Sequence, residues 1–145
     1  MHTYRAILLV LALTISPSAA LAQDNVLPKY GALPKSEAQK AADAKFLASI
    51  DETYKGNRKK AAEDLSARGW QFLRQGNSPD AMRRFNQAWL LDSSNGTVLW
   101  GMAAIQADSG KLDESLTLFA EAEALLGGDT DFTADYAKTL AWRGL

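Results

Sequence analysis

The chain contains no cysteine, and its single histidine, His2, stands almost at the N-terminus. A chain without cysteine forms no disulfide and offers no thiolate to a metal. With no histidine beyond position 2, it also lacks the imidazole that Ser-His-Asp and Cys-His sites require. No glycine-rich phosphate loop is present either. The sequence therefore predicts a non-catalytic protein without cofactor or metal, and an enzyme that works through carboxylates alone remains the alternative.

Neither sign of charge is in excess. The 145 residues include 16 Lys or Arg and 17 Asp or Glu, which gives a formal net charge of −1. This balance provides no electrostatic reason to expect a nucleic-acid partner. The basic run at residues 55–60 could contact an anionic surface, but a solvated turn is the simpler interpretation. The length suits one domain with a sizeable core.

The longest apolar run lies near the N-terminus, at residues 6–15. A positively charged start precedes this run, Ser16 and Pro17 interrupt it, and the small-x-small pattern Ala20-Leu21-Ala22 follows. This order is typical of a cleaved signal peptide, here residues 1–22, and the run is too short for a membrane anchor. We therefore expect a periplasmic or secreted protein, with no lipoprotein cysteine after the signal.

Two segments of different character follow the signal. Residues 23–35 contain two prolines and a glycine, which predicts a flexible leader. Ser36-Glu37-Ala38-Gln39 then has the pattern of a capping box, in which Ser36 and Gln39 close the start of a helix. This helix should run to about Tyr54, at the beginning of a single helical domain over residues 36–145.

Small and aromatic residues recur at a period of 34 positions. The pairs are Gly69 with Ala103, Gly76 with Gly110, Ala81 with Ser115, Phe85 with Phe119, and Ala88 with Ala122. A fixed period of this length is the mark of a helical repeat protein.

The segment GWQFLRQGNSPDAMRRFNQAWLLDSSN closely resembles a tetratricopeptide repeat. Together with Phe72, the recurring positions occupy the places where that family carries small and aromatic residues. The resemblance implies repeats at about residues 62–95 and 96–129 and a capping helix at residues 131–143. The implied fold is all-α: a short right-handed solenoid of helix-turn-helix repeats with capping helices at both ends.

A glycine within a helix, as at Gly69, costs about 1 kcal/mol relative to alanine. Within the repeat, this position lies where the two helices cross, facing Ala88 or its neighbours. We therefore expect that Gly69 allows the Phe85 ring to seat, so that close packing offsets the cost.

The resemblance also implies a concave groove lined by the first helix of each repeat. The matching positions are Glu63, Ser66, Trp70, Leu73, Arg74, Thr97, Trp100, Ala104 and Asp108. We expect a protein or peptide partner in this groove, with Trp70 and Trp100 as anchors and Arg74 and Asp108 setting its orientation. The alternative is a structural subunit of a homo-oligomer or envelope assembly, whose own N-terminal helix fills the groove. Ser66 and Trp70 replace the residues with which some family members bind a terminal carboxylate, so that binding mode is not implied.

Overall fold

The computed structural model describes residues 25–144, which form one short 3-10 turn and six α-helices. The turn is Pro28–Ala32, and the helices are α1 (Glu37–Thr53), α2 (Arg58–Arg74), α3 (Ser78–Leu91), α4 (Gly96–Asp108), α5 (Leu112–Leu126) and α6 (Thr130–Arg143). The all-α class is thereby confirmed. The expected signal peptide, residues 1–22, lies outside the described residues. Within residues 25–144, every helix is too short or too polar to cross a membrane.

Every helix except α5 begins after a residue whose side chain caps it. Ser36 and Gln39 form the predicted capping box, since each side chain bonds to the other residue's backbone N–H. Asn77 caps α3 by accepting the backbone N–H of Asp80. The last helix starts at Thr130, one residue earlier than predicted, because the Asp129 carboxylate accepts the N–H of Phe132.

The most extensive contacts join helices that follow each other in the chain, α2 with α3 and α4 with α5. A connection of three residues joins the two helices of each such pair. Contacts also occur between alternate helices, α2 with α4 and α4 with α6. The three helices α2, α4 and α6 therefore form one side of the molecule.

The Phe85 ring is fully buried between two glycines. A Cβ atom built on Gly69 of α2 would lie 2.6 Å from this ring, and one built on Gly101 of α4 would lie 2.2 Å from it. Carbon atoms in contact normally lie about 3.5–4.0 Å apart. The glycine at position 69 therefore makes room for Phe85, and Gly101, which the sequence did not single out, does the same from the other side.

The recurring positions divide between core and turns. Gly76 and Gly110 adopt left-handed φ angles of 74° and 76° directly after α2 and α4, where a residue with a Cβ would be strained. Phe72 is half-buried against the core. The remaining recurring residues are buried: Gly69, Ala81, Phe85, Ala88, Ala103, Ser115, Phe119 and Ala122.

Residues 25–32 lie within the segment predicted as a flexible leader, residues 23–35. They turn sharply, with positive φ at Lys29, Tyr30, Gly31 and Ala32, and they lie against α3. A left-handed conformation costs roughly 1–2 kcal/mol for each residue that carries a Cβ. The contacts that hold this turn must therefore outweigh a backbone cost at three of its residues.

Candidate functional site

Trp70 lies at the centre of the side formed by α2, α4 and α6. Its ring packs edge-on against Phe85, with centroids 5.7 Å apart, and against Trp100, with centroids 4.9 Å apart. Its indole N–H donates to the backbone carbonyl of Thr97 at 3.2 Å. The ring is therefore fixed, although the residue is still partly exposed.

A first recess of about 190 Å³ opens on one side of Trp70. Leu73 of α2 and Ala104 and Asp108 of α4 line it together with Trp70. The facing wall belongs to α6 and includes Lys138 and Trp142. The full lining is Trp70, Leu73, Ala104, Ala107, Asp108, Phe119, Asp135, Lys138, Thr139 and Trp142. Apolar surface and both signs of charge meet in this recess.

A second, more open recess of about 480 Å³ lies on the other side of Trp70. Glu63 and Ser66 of α2 and Thr97 of α4 are among its lining residues. The hydroxyl oxygens of Ser66 and Thr97 lie 3.1 Å apart, which links the two helices. We call the two recesses together the Trp70 groove, since Trp70 lines both.

The groove contains most of the residues that the sequence assigned to it. These are Glu63, Ser66, Trp70, Leu73, Thr97, Ala104 and Asp108. Arg74 is exposed but lines neither recess. Trp100 is also absent from both linings. Its ring packs against α6, 5.8 Å from that of Phe132, and its indole N–H donates to Asp135 at 3.0 Å. The residue is still partly exposed, and its role as an anchor stays a prediction.

The N-terminal helix α1 does not lie in the groove. Its residues Ala42, Asp43 and Phe46 face α3 across a separate recess of about 380 Å³. No residue of α1 lines either recess beside Trp70. The expectation that this helix fills the groove differs from the structure, in which α6 covers part of the predicted surface.

Trp142 is the groove residue that sequence reasoning missed. It is 51% exposed, and the Lys138 amine lies 4.5 Å from the centroid of its ring. From the sequence, α6 is predicted only as a capping helix. The available signal in the sequence was a tryptophan near the end of that helix. Its exposure, seen in the structure, matters because large apolar side chains at the surface commonly mark contacts.

Carboxylates with shifted pKa values lie outside the groove. Hydrogen bonds from Arg58 and from Lys60 lower the pKa values of Asp51 and Asp64, respectively. Hydrogen bonds from Asn77 and Arg83 likewise lower the pKa of Asp80. These groups are ionised partners in exposed polar contacts. Within residues 25–144, the acidic side chains form no cluster suited to a metal ion.

No protein-family model, curated protein or solved structure matches the chain. The function must therefore be argued from the groove and its side chains.

Proposed function

We propose that the protein is a non-catalytic adaptor that binds a segment of another protein in the Trp70 groove. The observation that carries this proposal is the exposed Trp142 ring, which faces Trp70 and Leu73 across a recess between α2, α4 and α6. Aromatic side chains next to a charged rim are the composition of protein interfaces. The expected signal peptide places this activity in the periplasm or outside the cell.

The helix arrangement supports a solenoid of tetratricopeptide type. Its two closest helix pairs, α2 with α3 and α4 with α5, coincide with the two 34-residue repeats of the sequence. The alternate helices that contact one another, α2, α4 and α6, are those that would line the concave surface of such a solenoid. In this interpretation α6 extends the groove as well as capping it.

The size of the first recess favours a peptide side chain as its occupant. Pockets for small molecules usually enclose about 300–1,000 Å³, whereas this recess has about 190 Å³. A recess of that size suits one apolar side chain of a longer segment. Asp108 and Lys138 at its wall could then bind polar groups of the same segment.

The three carboxylates whose pKa values are shifted lie away from the groove. A general acid requires a carboxyl group whose pKa is raised, usually inside a cleft. Asp51, Asp64 and Asp80 have lowered pKa values, and none of them lines the Trp70 groove. Their polar contacts suit a surface role.

The test uses a phage-displayed library of random 12-residue peptides and the chain from Gln23 onwards. Clones enriched on the wild type should lose binding to Trp142→Ala and to Ala104→Arg, which places a long charged side chain in the first recess. The matched control is Leu125→Ala, which removes another exposed apolar side chain, 46% exposed, at the end of α5 outside the groove.

Either of two results would contradict the proposal. In the first, the library yields no clone above background. In the second, the enriched clones bind Trp142→Ala and Ala104→Arg as well as they bind Leu125→Ala. Helicity measured by circular dichroism should be equal in all the variants, so that a loss of binding is separated from a loss of fold.

A further inference from the structure

Asn86 of α3 is completely buried, and the backbone of residues 25–32 satisfies its side chain. Its amide nitrogen donates to the carbonyl of Asn25 at 2.9 Å and to that of Leu27 at 2.8 Å. Its amide oxygen accepts the N–H of Tyr30 at 3.3 Å. One side chain thus forms hydrogen bonds with three backbone groups of the same segment. We call residues 25–32 the strap.

The other contacts of the strap involve few side chains. The Lys29 amine pairs with Glu121 of α5, and the Tyr30 ring lies under the Lys35 amine, 4.0 Å from its centroid. Between the strap and α5, however, a recess of about 430 Å³ remains, lined by Leu27 and Leu118 among others. The strap is therefore held by these polar contacts and by the partly buried Tyr30 ring, and it leaves open space on its side towards α5.

The strap is also strained where it returns towards α1. Lys29, Tyr30 and Ala32 have φ angles of 52°, 57° and 54°, a conformation that side chains with a Cβ disfavour. Only residues 33–36, which include Pro34, join this turn to α1. A short, strained connection beside a docked segment favours exchange of that segment between copies of a protein.

We propose that the strap can dock on Asn86 of a second copy, so that two chains form a dimer by exchanging residues 25–32. The strap of a second copy fits this position because it is identical in sequence. It offers the same carbonyls and N–H to Asn86 and the same Lys29 amine to Glu121. In the exchanged dimer, the chain after Tyr30 need not turn back to its own α1, so Ala32, which lies beyond the contacts with Asn86, can relax. The proposal is independent of the Trp70 groove, because the strap contacts α3 and α5 whereas the groove lies on α2, α4 and α6.

The test mixes two chains, both from Gln23 onwards, that each lack one half of the contact. Tyr30→Pro has a defective strap, since proline cannot adopt φ near 57° and has no N–H to donate. Asn86→Asp has an intact strap but cannot donate to the two carbonyls. Neither chain alone should hold a strap in place. Together, the strap of Asn86→Asp should dock on Asn86 of Tyr30→Pro.

The measurement is hydrogen exchange at the Tyr30 N–H, which only the Asn86→Asp chain carries. We expect this exchange to slow by at least about tenfold on mixing, and light scattering to show a complex of twice the monomer mass. The control mixes Asn86→Asp with an equal amount of itself and should show neither change. Asn86→Ala, which leaves no charge in the buried position, replaces Asn86→Asp if the latter does not fold.

Two results would overturn the proposal. In the first, the hydrogen-exchange rate of the Tyr30 N–H does not change on mixing, and the mixture keeps the monomer mass at millimolar concentration. The strap would then dock only in its own chain. The second is slow Tyr30 exchange in Asn86→Asp and Asn86→Ala alone, because the strap would then be held without Asn86.

Discussion

The packing of Phe85 between Gly69 and Gly101 predicts that the substitution Gly101→Ala destabilises the protein. The new Cβ would lie 2.2 Å from the Cζ atom of Phe85, so the ring would have to retreat by roughly 1.3 Å to reach an ordinary contact. The ring has no spare room towards α2, because a Cβ atom built on Gly69 would itself lie 2.6 Å from it.

The magnitude follows from two opposing effects. Overpacking a well-filled core costs typically 1–3 kcal/mol, and a ring confined on both sides belongs in the upper part of that range. Replacing a mid-helix glycine by alanine returns about 1 kcal/mol. The net loss in the free energy of unfolding should therefore be about 1–2 kcal/mol. For a chain of this size, that corresponds to a decrease in Tm of roughly 3–10 °C.

The assay is urea unfolding followed by circular dichroism, for Gly101→Ala in the wild-type and in the Phe85→Leu background. Leucine in place of phenylalanine removes the ring atoms that the new Cβ would meet. Gly101→Ala should therefore be neutral or stabilising in that background, because only the gain in helix propensity remains. A loss of the same size in both backgrounds, or no loss in the wild type, would refute the assignment of the cost to Phe85.

Two further predictions concern the dependence of stability on pH. Hydrogen bonds from Asn77 and Arg83 lower the pKa of Asp80, so its contribution to stability is present above the ordinary carboxyl pKa and is lost as the pH falls through the lowered value. The difference in unfolding free energy between wild type and Asp80→Asn should therefore shrink as the pH falls below the ordinary carboxyl range, and a difference independent of pH would contradict this. Burial, with the nearby Asp43 carboxylate, raises the pKa of Tyr30, so its contribution is complete below the ordinary phenol pKa and is lost as the pH rises from about 10 towards the raised value. Ultraviolet titration should show one late phenolate that is absent in Tyr30→Phe, and identical alkaline curves for the two proteins would contradict the buried position of Tyr30.

Much of the fold could be predicted because its signals are local. The capping box at Ser36 and the glycines at Gly76 and Gly110 act within one turn of chain, so their neighbours in sequence are also their partners in space. The 34-residue period likewise reports which positions are buried. Most of the groove positions follow from the same period, since residues such as Trp70 and Ala104 lie on equivalent helices.

The sequence did not reveal contacts between elements that are distant along the chain. Trp100 belongs to a predicted groove position, and Phe132 and Asp135 of α6, more than thirty residues later, pack against it. Asn86 looks like an ordinary polar position on a helix, and only the fold brings it to Asn25 and Leu27, some sixty residues earlier.

The sequence by itself determined the helical class and most of the helix boundaries. It also determined which face of each repeat helix is buried, because period and capping are properties of neighbouring residues. Only the tertiary structure decided that α6 forms a wall of the Trp70 groove while α1 faces α3, and that residues 25–32 dock on Asn86. The physical reason is that helices of similar amphipathic pattern can pack in several places. The choice among those places depends on how shapes, buried polar groups and charges from distant parts of the chain fit together.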